Sequence, residues 1–562
     1  MKRFVKISFL LATMAVVLSS CNCYSGMAER MDLIKATSSP EVLALKGNVV
    51  PADIRVQFPP KYFNKKAVLR ITPVLVCSDR TEFAGTPKYV QGEKVKDNYT
   101  VISKKNGGSY VQSISFPYDK RMKLSTLELR VEAKCASGPK KRREFTTIAV
   151  IAVAEGVSTV QLMADFTAYM TIMPDNFKRI TTETQEADIM YAINKSDVRP
   201  AELTKDQVKL FEDFVKENAN KDRVTLGNVY AKGYASPDGP VDFNDQLSRA
   251  RSQSGQTAIS KELTSINPTY DVAYYGEDWE GFKELVEASN MRDKALILQV
   301  LNMYSNPVKR DEEIHKMSSV FDVLKTDILP QLRRTRLIAN ADVQGRTDAE
   351  LRSAVNSNIN VLNEEELLFA ATLFDDNDTK AKAYQAAASR YNSARGYNNY
   401  GVILAKQSKL TEAKAAFDRA ATMSRDAAIS NNLGVLALMN GDVAAAKSYI
   451  SALSTADARN SQALITLQEG NYAQAARTLT GYNGAVAAVC NNDLARAKQL
   501  IANDNSAKAD YLKAVIAMRE GNSSAAISNL RSSIAKDPSL REAARQDVEF
   551  AKIFGTTEYL AL

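Results

Sequence analysis

Hydrophobic and polar residues alternate with a period of two from about residue 46 to 160. Ile54, Val56 and Phe58 form one alternating run, Leu69, Ile71 and Leu75 a second, and Leu127, Leu129, Val131 and Ala133 a third. Turn-forming stretches separate them: Pro59-Pro60, Asn106-Gly107-Gly108 and Ser137-Gly138-Pro139. Strands send successive side chains to opposite faces, so this pattern predicts an all-β sandwich, or else a barrel, over residues 46–180 with one buried face per strand. From about 186 the pattern changes to short apolar runs alternating with helical periodicity. Strands are expected near 189–193, 224–233, 270–275 and 336–342, and helices over 204–216 and 242–263. This order predicts an α/β domain at 186–345 with helices on one side of a small sheet. A helical insertion before its last strand carries Trp279 and His315, the only Trp and His of the chain.

Beyond residue 346 alanine dominates, the period becomes helical throughout, and the pattern repeats. Gly401, Ala413, Phe417 and Ala420 stand at spacings of 12, 4 and 3. Gly434, Gly441, Ala446 and Ile450 echo them, and Gly434 lies 33 residues after Gly401. Gly470, Ala475 and Leu479, and later Gly521, Ala526, Leu530 and Pro538, give two further copies, with shortened spacing at 480–508. Small residues let antiparallel helices approach, and the larger residue fills the gap left between them. The set resembles the tetratricopeptide repeat, which implies an all-α solenoid over 346–562 whose units must stack to bury their faces. In that family the concave groove holds a peptide or partner protein. Tyr397, Asn398, Asn431 and Asn432 fall on the groove side, where they either bond an extended peptide or satisfy the inner helices.

The amino terminus sets the expected address. Lys2, Arg3 and Lys6 precede an apolar run, Ile7 to Val17, that is shorter than the roughly 20 residues needed to span a bilayer. The sequence Leu18-Ser19-Ser20-Cys21 resembles the lipobox of bacterial lipoproteins. That resemblance implies a signal peptide at 1–20, acylation of Cys21 and a chain held to outer-membrane lipid by its acyl groups; a linker is expected over 21–45, and of the two faces open to the chain, periplasm and cell surface, the periplasm is preferred. Each buried CH₂ contributes about 0.8 kcal/mol to such anchoring. Formal net charge falls from +8 to +5 on losing the leader's Lys2, Arg3 and Lys6. That mild, dispersed charge argues against a nucleic-acid partner. The sharpest basic cluster, Lys140-Lys141-Arg142-Arg143, follows Gly138-Pro139 and reads as a solvated hairpin tip, with contact to lipid headgroups as the alternative. Cysteines are few, at 21, 23, 77, 135 and 490. Cys77 and Cys135 both fall in phase with apolar strand positions, which leaves two readings open: one disulfide, or two separate buried thiols.

The most informative motif follows the second strand of the middle domain: Gly233-Tyr234-Ala235-Ser236-Pro237-Asp238-Gly239, then Asn244, Leu247, Ser248 and Arg251. Asn244, Ser248 and Arg251 share one helix face, just after a loop suited to anions at a helix N-terminus. The spacing resembles the peptidoglycan-associating domain of OmpA-like proteins. The resemblance implies that Arg251 grips the carboxylate of diaminopimelate in the peptidoglycan stem. The family's aspartate, which takes the ammonium, is replaced here by Ser236, with Asp238 two residues later as the available substitute. Ser236, Asp238, Asn244, Ser248 and Arg251 are therefore the candidate peptidoglycan-binding residues.

Catalysis finds little support in this inventory. His315 lies in a charged helical stretch, and no metal set, Walker loop or dinucleotide fingerprint is present, so neither an enzyme nor a cofactor is expected. The carboxylate groups Glu277-Asp278 and Glu364-Glu365-Glu366 suit solvated faces or helix N-termini. The leading expectation is an outer-membrane lipoprotein acting as a periplasmic scaffold or tether, with protein partners in the repeat groove and peptidoglycan at the OmpA-like domain. The alternatives are a dedicated peptidoglycan-binding anchor and a subunit of a secretion or surface-attachment machine.

Overall fold

The computed structural model describes residues 23–562, so the expected signal peptide and Cys21 lie outside the described residues. The chain divides into two compact units: one built from the residues up to Pro174 together with Asp376–Leu562, the other from Asp175–Asp375. The first unit joins a β-rich N-terminal region to an all-helical C-terminal region, and the α/β unit is inserted between them in sequence.

Two sheets enclose the β core. A three-stranded sheet holds Lys35–Ser39, Val49–Phe58 and Gly108–Pro117, and a larger one is centred on Ala67–Cys77 and Ser125–Cys135. Ile54, Val56, Phe58, Leu69, Ile71, Leu75, Leu127, Leu129, Val131 and Ala133 all lie in one buried cluster. The two-residue period therefore marks the inward face of both sheets. Lys140–Arg143 lies in the connection between the paired strands Ser125–Cys135 and Thr146–Glu155.

Two expectations need correction here. Residues 24–45 are no linker: Tyr24, Met27, Met31 and Ile34 are buried in the same core, and Lys35–Ser39 is a paired strand. The disulfide joins Cys23 to Cys135, with Cα atoms 5.9 Å apart, and Cys77 is a buried free thiol. The physical reason is register. Ala67 pairs with Cys135 and Cys77 with Ser125 on two antiparallel strands, so the two in-phase cysteines sit at opposite ends of the ladder, about 30 Å apart at 3.3 Å per residue.

The α/β unit carries a four-stranded sheet. Its strands, first to fourth in the chain, are Ile180–Met190, Val224–Ala235, Tyr270–Glu277 and Arg334–Gln344, and they lie side by side in the order first, fourth, second, third. The second and third run parallel, and the other two pairs are antiparallel. Helices Asp206–Asn218 and Val241–Glu262 supply Val208, Phe211, Val215 and Ile259 to a core with Ala187, Ile189, Val229, Ala231, Leu337 and Ala339. Those strand residues alternate, so both helices cover one face. The other face is polar, with Thr182 donating to Asp342 and Thr184 to Asn340 at 2.6 and 2.8 Å. The first strand begins at Ile180, well before 189. Its early residues are exposed at a sheet edge and so carry no apolar signal. This unit also includes helices Asp348–Ser357 and Glu364–Thr372, so the helical region of the first unit starts at Asp376 rather than 346.

That helical region is a series of packed pairs. The inner helices are Ala394–Lys406, Ala427–Met439, Ala456–Gln468, Gly481–Cys490 and Ala507–Arg519, each followed by a partner. A Cβ at Gly401 would lie 2.7 Å from the Phe417 ring, so glycine is what lets the first pair close. Among the described residues no helix is long and apolar enough to cross a membrane.

Candidate functional site

The motif helix of the α/β unit presses against the second strand so tightly that a Cβ on Gly233 would lie 2.7 Å from the Ser252 nitrogen. Ser252, where the resemblance has alanine, is buried and donates to the Arg249 carbonyl at 2.8 Å. Asn244, Ser248 and Arg251 line one helix face as their spacing requires, but that face is closed. Arg251 is 1% exposed. Its Nε donates to the Lys195 carbonyl at 3.0 Å, Nη1 to Tyr234 at 2.9 Å and Nη2 to Ala192 at 3.3 Å, and its guanidinium lies over the Tyr191 ring. Burial pushes its pKa down to about 10. Arg251 thus ties the loop after the first strand to the end of the second.

The remaining candidates have internal partners as well. Asn244 donates to the Gly239 carbonyl and to Glu277, at 3.2 and 3.0 Å. Ser248 donates to the Asp245 carbonyl and accepts from the Gly276 amide. Ser236 donates to Asp238 at 2.5 Å, so the loop does turn Asp238 inward. There it meets Arg333, which sequence reasoning missed. The Arg333 Nη2 donates to Asp238 at 3.0 Å and its Nε to the Ser236 hydroxyl at 3.2 Å. The carboxylate that was to replace the family's aspartate is already neutralised by a guanidinium. Nearby, Arg334 bridges Asp278 and Asp188 at 2.7 and 3.1 Å. The structure brings all five candidate residues to one region, and it leaves them joined to one another and to backbone.

A separate cavity of about 390 Å³ in this unit has Lys178, Arg223, Arg346 and Glu366 among its lining. Two of its three basic side chains are paired, Arg346 donating twice to Glu366 and Arg223 pairing with Glu350. Among the described residues no group of three or more His, Cys, Asp or Glu side chains is placed to hold a metal ion. His315 is exposed and bonded to Asp311 on its own helix.

The second site lies in the helical region, and its occupant is the chain itself. Residues 159–174, which follow the β-rich region, run along the inner helices. Asn399 accepts from the Met173 amide at 2.8 Å and donates to the Met173 carbonyl at 2.9 Å. Asn432 treats Thr171 the same way at 2.7 and 2.8 Å, and Asn483 treats Asp165 at 2.7 and 2.8 Å. Asn431 donates to the Tyr169 carbonyl and Asn398 to that of Thr171. Lys508 pairs with the Asp165 carboxylate, and Met170 and Met173 are buried among the first helix pairs. At the near end Gln161 bonds Gln468 and Gly47, and Tyr472 donates to the Leu45 carbonyl. The groove asparagines thus bond an extended segment of the chain itself, and Asn432 also donates to the Asn398 side chain on the neighbouring inner helix at 2.8 Å, so each of the two readings is met in part. Tyr397 is only partly buried and packs beside this core.

No family model matches the chain, and no curated protein matches it. Among solved structures, a Salmonella alpha-2-macroglobulin mutant is similar at 12% identity and a TM-score of 0.13, with 90% of this chain and 26% of that one covered. The native E. coli alpha-2-macroglobulin gives 13% identity and the same TM-score, with 89% and 26% covered. The chain spans about a quarter of the length of these structures. A likeness at that TM-score carries no argument about fold or activity.

Proposed function

We propose that this protein is a lipid-anchored scaffold of the bacterial outer membrane, facing the periplasm, which works by holding polypeptide and not by catalysis. The observation that carries the reading is the asparagine ladder. Asn399, Asn432 and Asn483 each bond both the N–H and the C=O of one residue of an extended backbone. Such pairing ignores side-chain identity, as a surface built to hold a polypeptide strand does. The stacked helix pairs and the spacing of Gly401, Ala413, Phe417 and Ala420 support reading this region as tetratricopeptide-like. The one-sided sheet and the Gly233–Arg251 motif support an OmpA-like reading of the inserted unit. Contact of that unit with peptidoglycan stands outside the proposal, because Arg251 and Asp238 already have partners.

Anchoring through Cys21 is tested by palmitate labelling and density-gradient fractionation in a diderm bacterium. The full chain is expected in the outer-membrane fraction carrying label, and Cys21→Ser is expected in the soluble periplasm without it. Unlabelled, soluble wild type overturns the reading.

A further inference from the structure

The segment in the groove is longer than the ladder needs. Asn399, Asn432 and Ser461 are each the sixth residue of a thirteen-residue inner helix, Ala394–Lys406, Ala427–Met439 and Ala456–Gln468. Asn483 stands at the matching position of the next one, seven residues before its last residue, as Ser461 does. The first two hold residues 173 and 171, so each helix pair advances the strand by two residues. Continued at that step, Ser461 would face residue 169 and Asn483 residue 167. Asn483 instead holds Asp165, two residues further back. The surplus is taken up in a 3₁₀ turn, Phe166–Tyr169, and that turn packs against the helix that carries Ser461. The result is a break in the ladder: the Ser461 hydroxyl and the Asn431 carbonyl oxygen are buried, and neither has a hydrogen-bond partner. Buried polar groups are normally paired, so these two atoms mark bonds that this occupant does not make.

We propose that residues 165–173 are a displaceable cis occupant of the groove, and that the ligand which displaces them is an extended polypeptide running as an unbroken strand from Asn483 to Asn399. The ligand carries a carboxylate for Lys508 at one end and apolar side chains in place of Met170 and Met173. It crosses from Asn483 to Asn432 with two residues fewer than the linker, which brings a backbone group to Ser461. The linker has the advantage of being tethered, so a free ligand competes only while the groove is vacated, and its apparent affinity is reduced by that fraction. The proposal rests on the groove being a polypeptide-holding surface. It does not depend on lipidation, so its failure and that of the anchoring test are told apart.

The experiment uses residues 23–562 with the disulfide intact and two fluorescent synthetic peptides. One has the sequence of residues 163–175, and the other is the same peptide lacking Thr167 and Ala168. In the host chain, Thr171→Pro removes the amide that Asn432 accepts and so weakens the cis occupant. The shortened peptide is expected to bind Thr171→Pro about tenfold tighter than wild type. It is expected to bind tighter than the longer peptide, and to lose binding when Asn399→Ala and Asn432→Ala are added. Equal binding of the two peptides, equal binding to both hosts, or binding that survives loss of both asparagines overturns the proposal. Should Thr171→Pro fail to fold by circular dichroism, hydrogen exchange on wild type decides. Saturating shortened peptide is expected to speed exchange at residues 165–173, and unchanged exchange there overturns the proposal.

Discussion

The Arg251 cluster and the asparagine ladder are both polar constellations that the sequence offers as binding sites, and both are filled by the protein's own backbone. They differ in what fills them. Arg251 donates to carbonyls of residues 192, 195 and 234, which belong to the loop and strand that shape its own domain. Nothing can replace those carbonyls without taking the domain apart. The ladder holds residues 165–173, a connecting segment with little structure of its own, through bonds that any polypeptide backbone can make. The first cluster is a staple and the second is a receptor with its ligand tethered. A polar motif therefore identifies a site only once the identity and exchangeability of its partners are known.

Removing the staple is expected to have the largest effect. Arg251→Ala strands three buried carbonyls and leaves a cavity, which should cost about 3–5 kcal/mol and unfold the α/β unit first in a urea melt. A change under 1 kcal/mol, roughly the level of a surface substitution, contradicts the staple. Next comes Cys135→Ser, which opens a disulfide spanning 112 residues. A loss of about 2–4 kcal/mol is expected in a urea melt, and a loss under about 1 kcal/mol contradicts the bridge. On the receptor side, Asn432→Ala is expected to cost about 1–3 kcal/mol, since it frees the Thr171 amide and the Asn398 side-chain oxygen and removes one of the two bonds to the Thr171 carbonyl. A thermal melt in which Asn432→Ala matches wild type contradicts the ladder.

The smallest expected effect is on pH dependence. Asp547, beneath the last helix pair, accepts from the Tyr511 hydroxyl at 3.0 Å. Burial, and next to it the Glu549 charge, push its pKa from 3.8 up to about 6. The folded state therefore binds this proton more tightly than the unfolded state. The stability it contributes is present at low pH and is lost as pH rises from about 4 through about 6. Asp547→Asn is expected to flatten that slope, measured by melts at pH 4, 5, 6 and 7.

The legible parts were those governed by local periodicity. Ile54, Val56 and Phe58 face inward because strands alternate, and Gly401 sits opposite Phe417 because helix pairs need a small residue there. The face shared by Asn244, Ser248 and Arg251 was equally legible, whereas its closure was not, since the carbonyls that close it carry no side-chain signature. Arg333 was missed for a related reason: it stands at the edge of the fourth strand, 95 residues from Asp238, and only the sheet order brings the two together. Cys23 was hidden in a stretch read as linker, because its packing against Cys135 comes from tertiary register. In the groove, Asn398, Asn431 and Asn432 announced a polar lining. Asn399, one repeat of 33 residues before Asn432, was within reach of the same argument. Residues 165–173 were not, because their conformation is imposed by the helices that hold them.

The central claim, that the groove is filled by this segment, is tested most directly by residue-resolved hydrogen exchange at the Thr171 and Met173 amides, which donate to Asn432 and Asn399. Protection well above that of an open loop in wild type, lost in Asn432→Ala, is the expected result. Exchange of both amides in wild type at the rate of an open loop would contradict it.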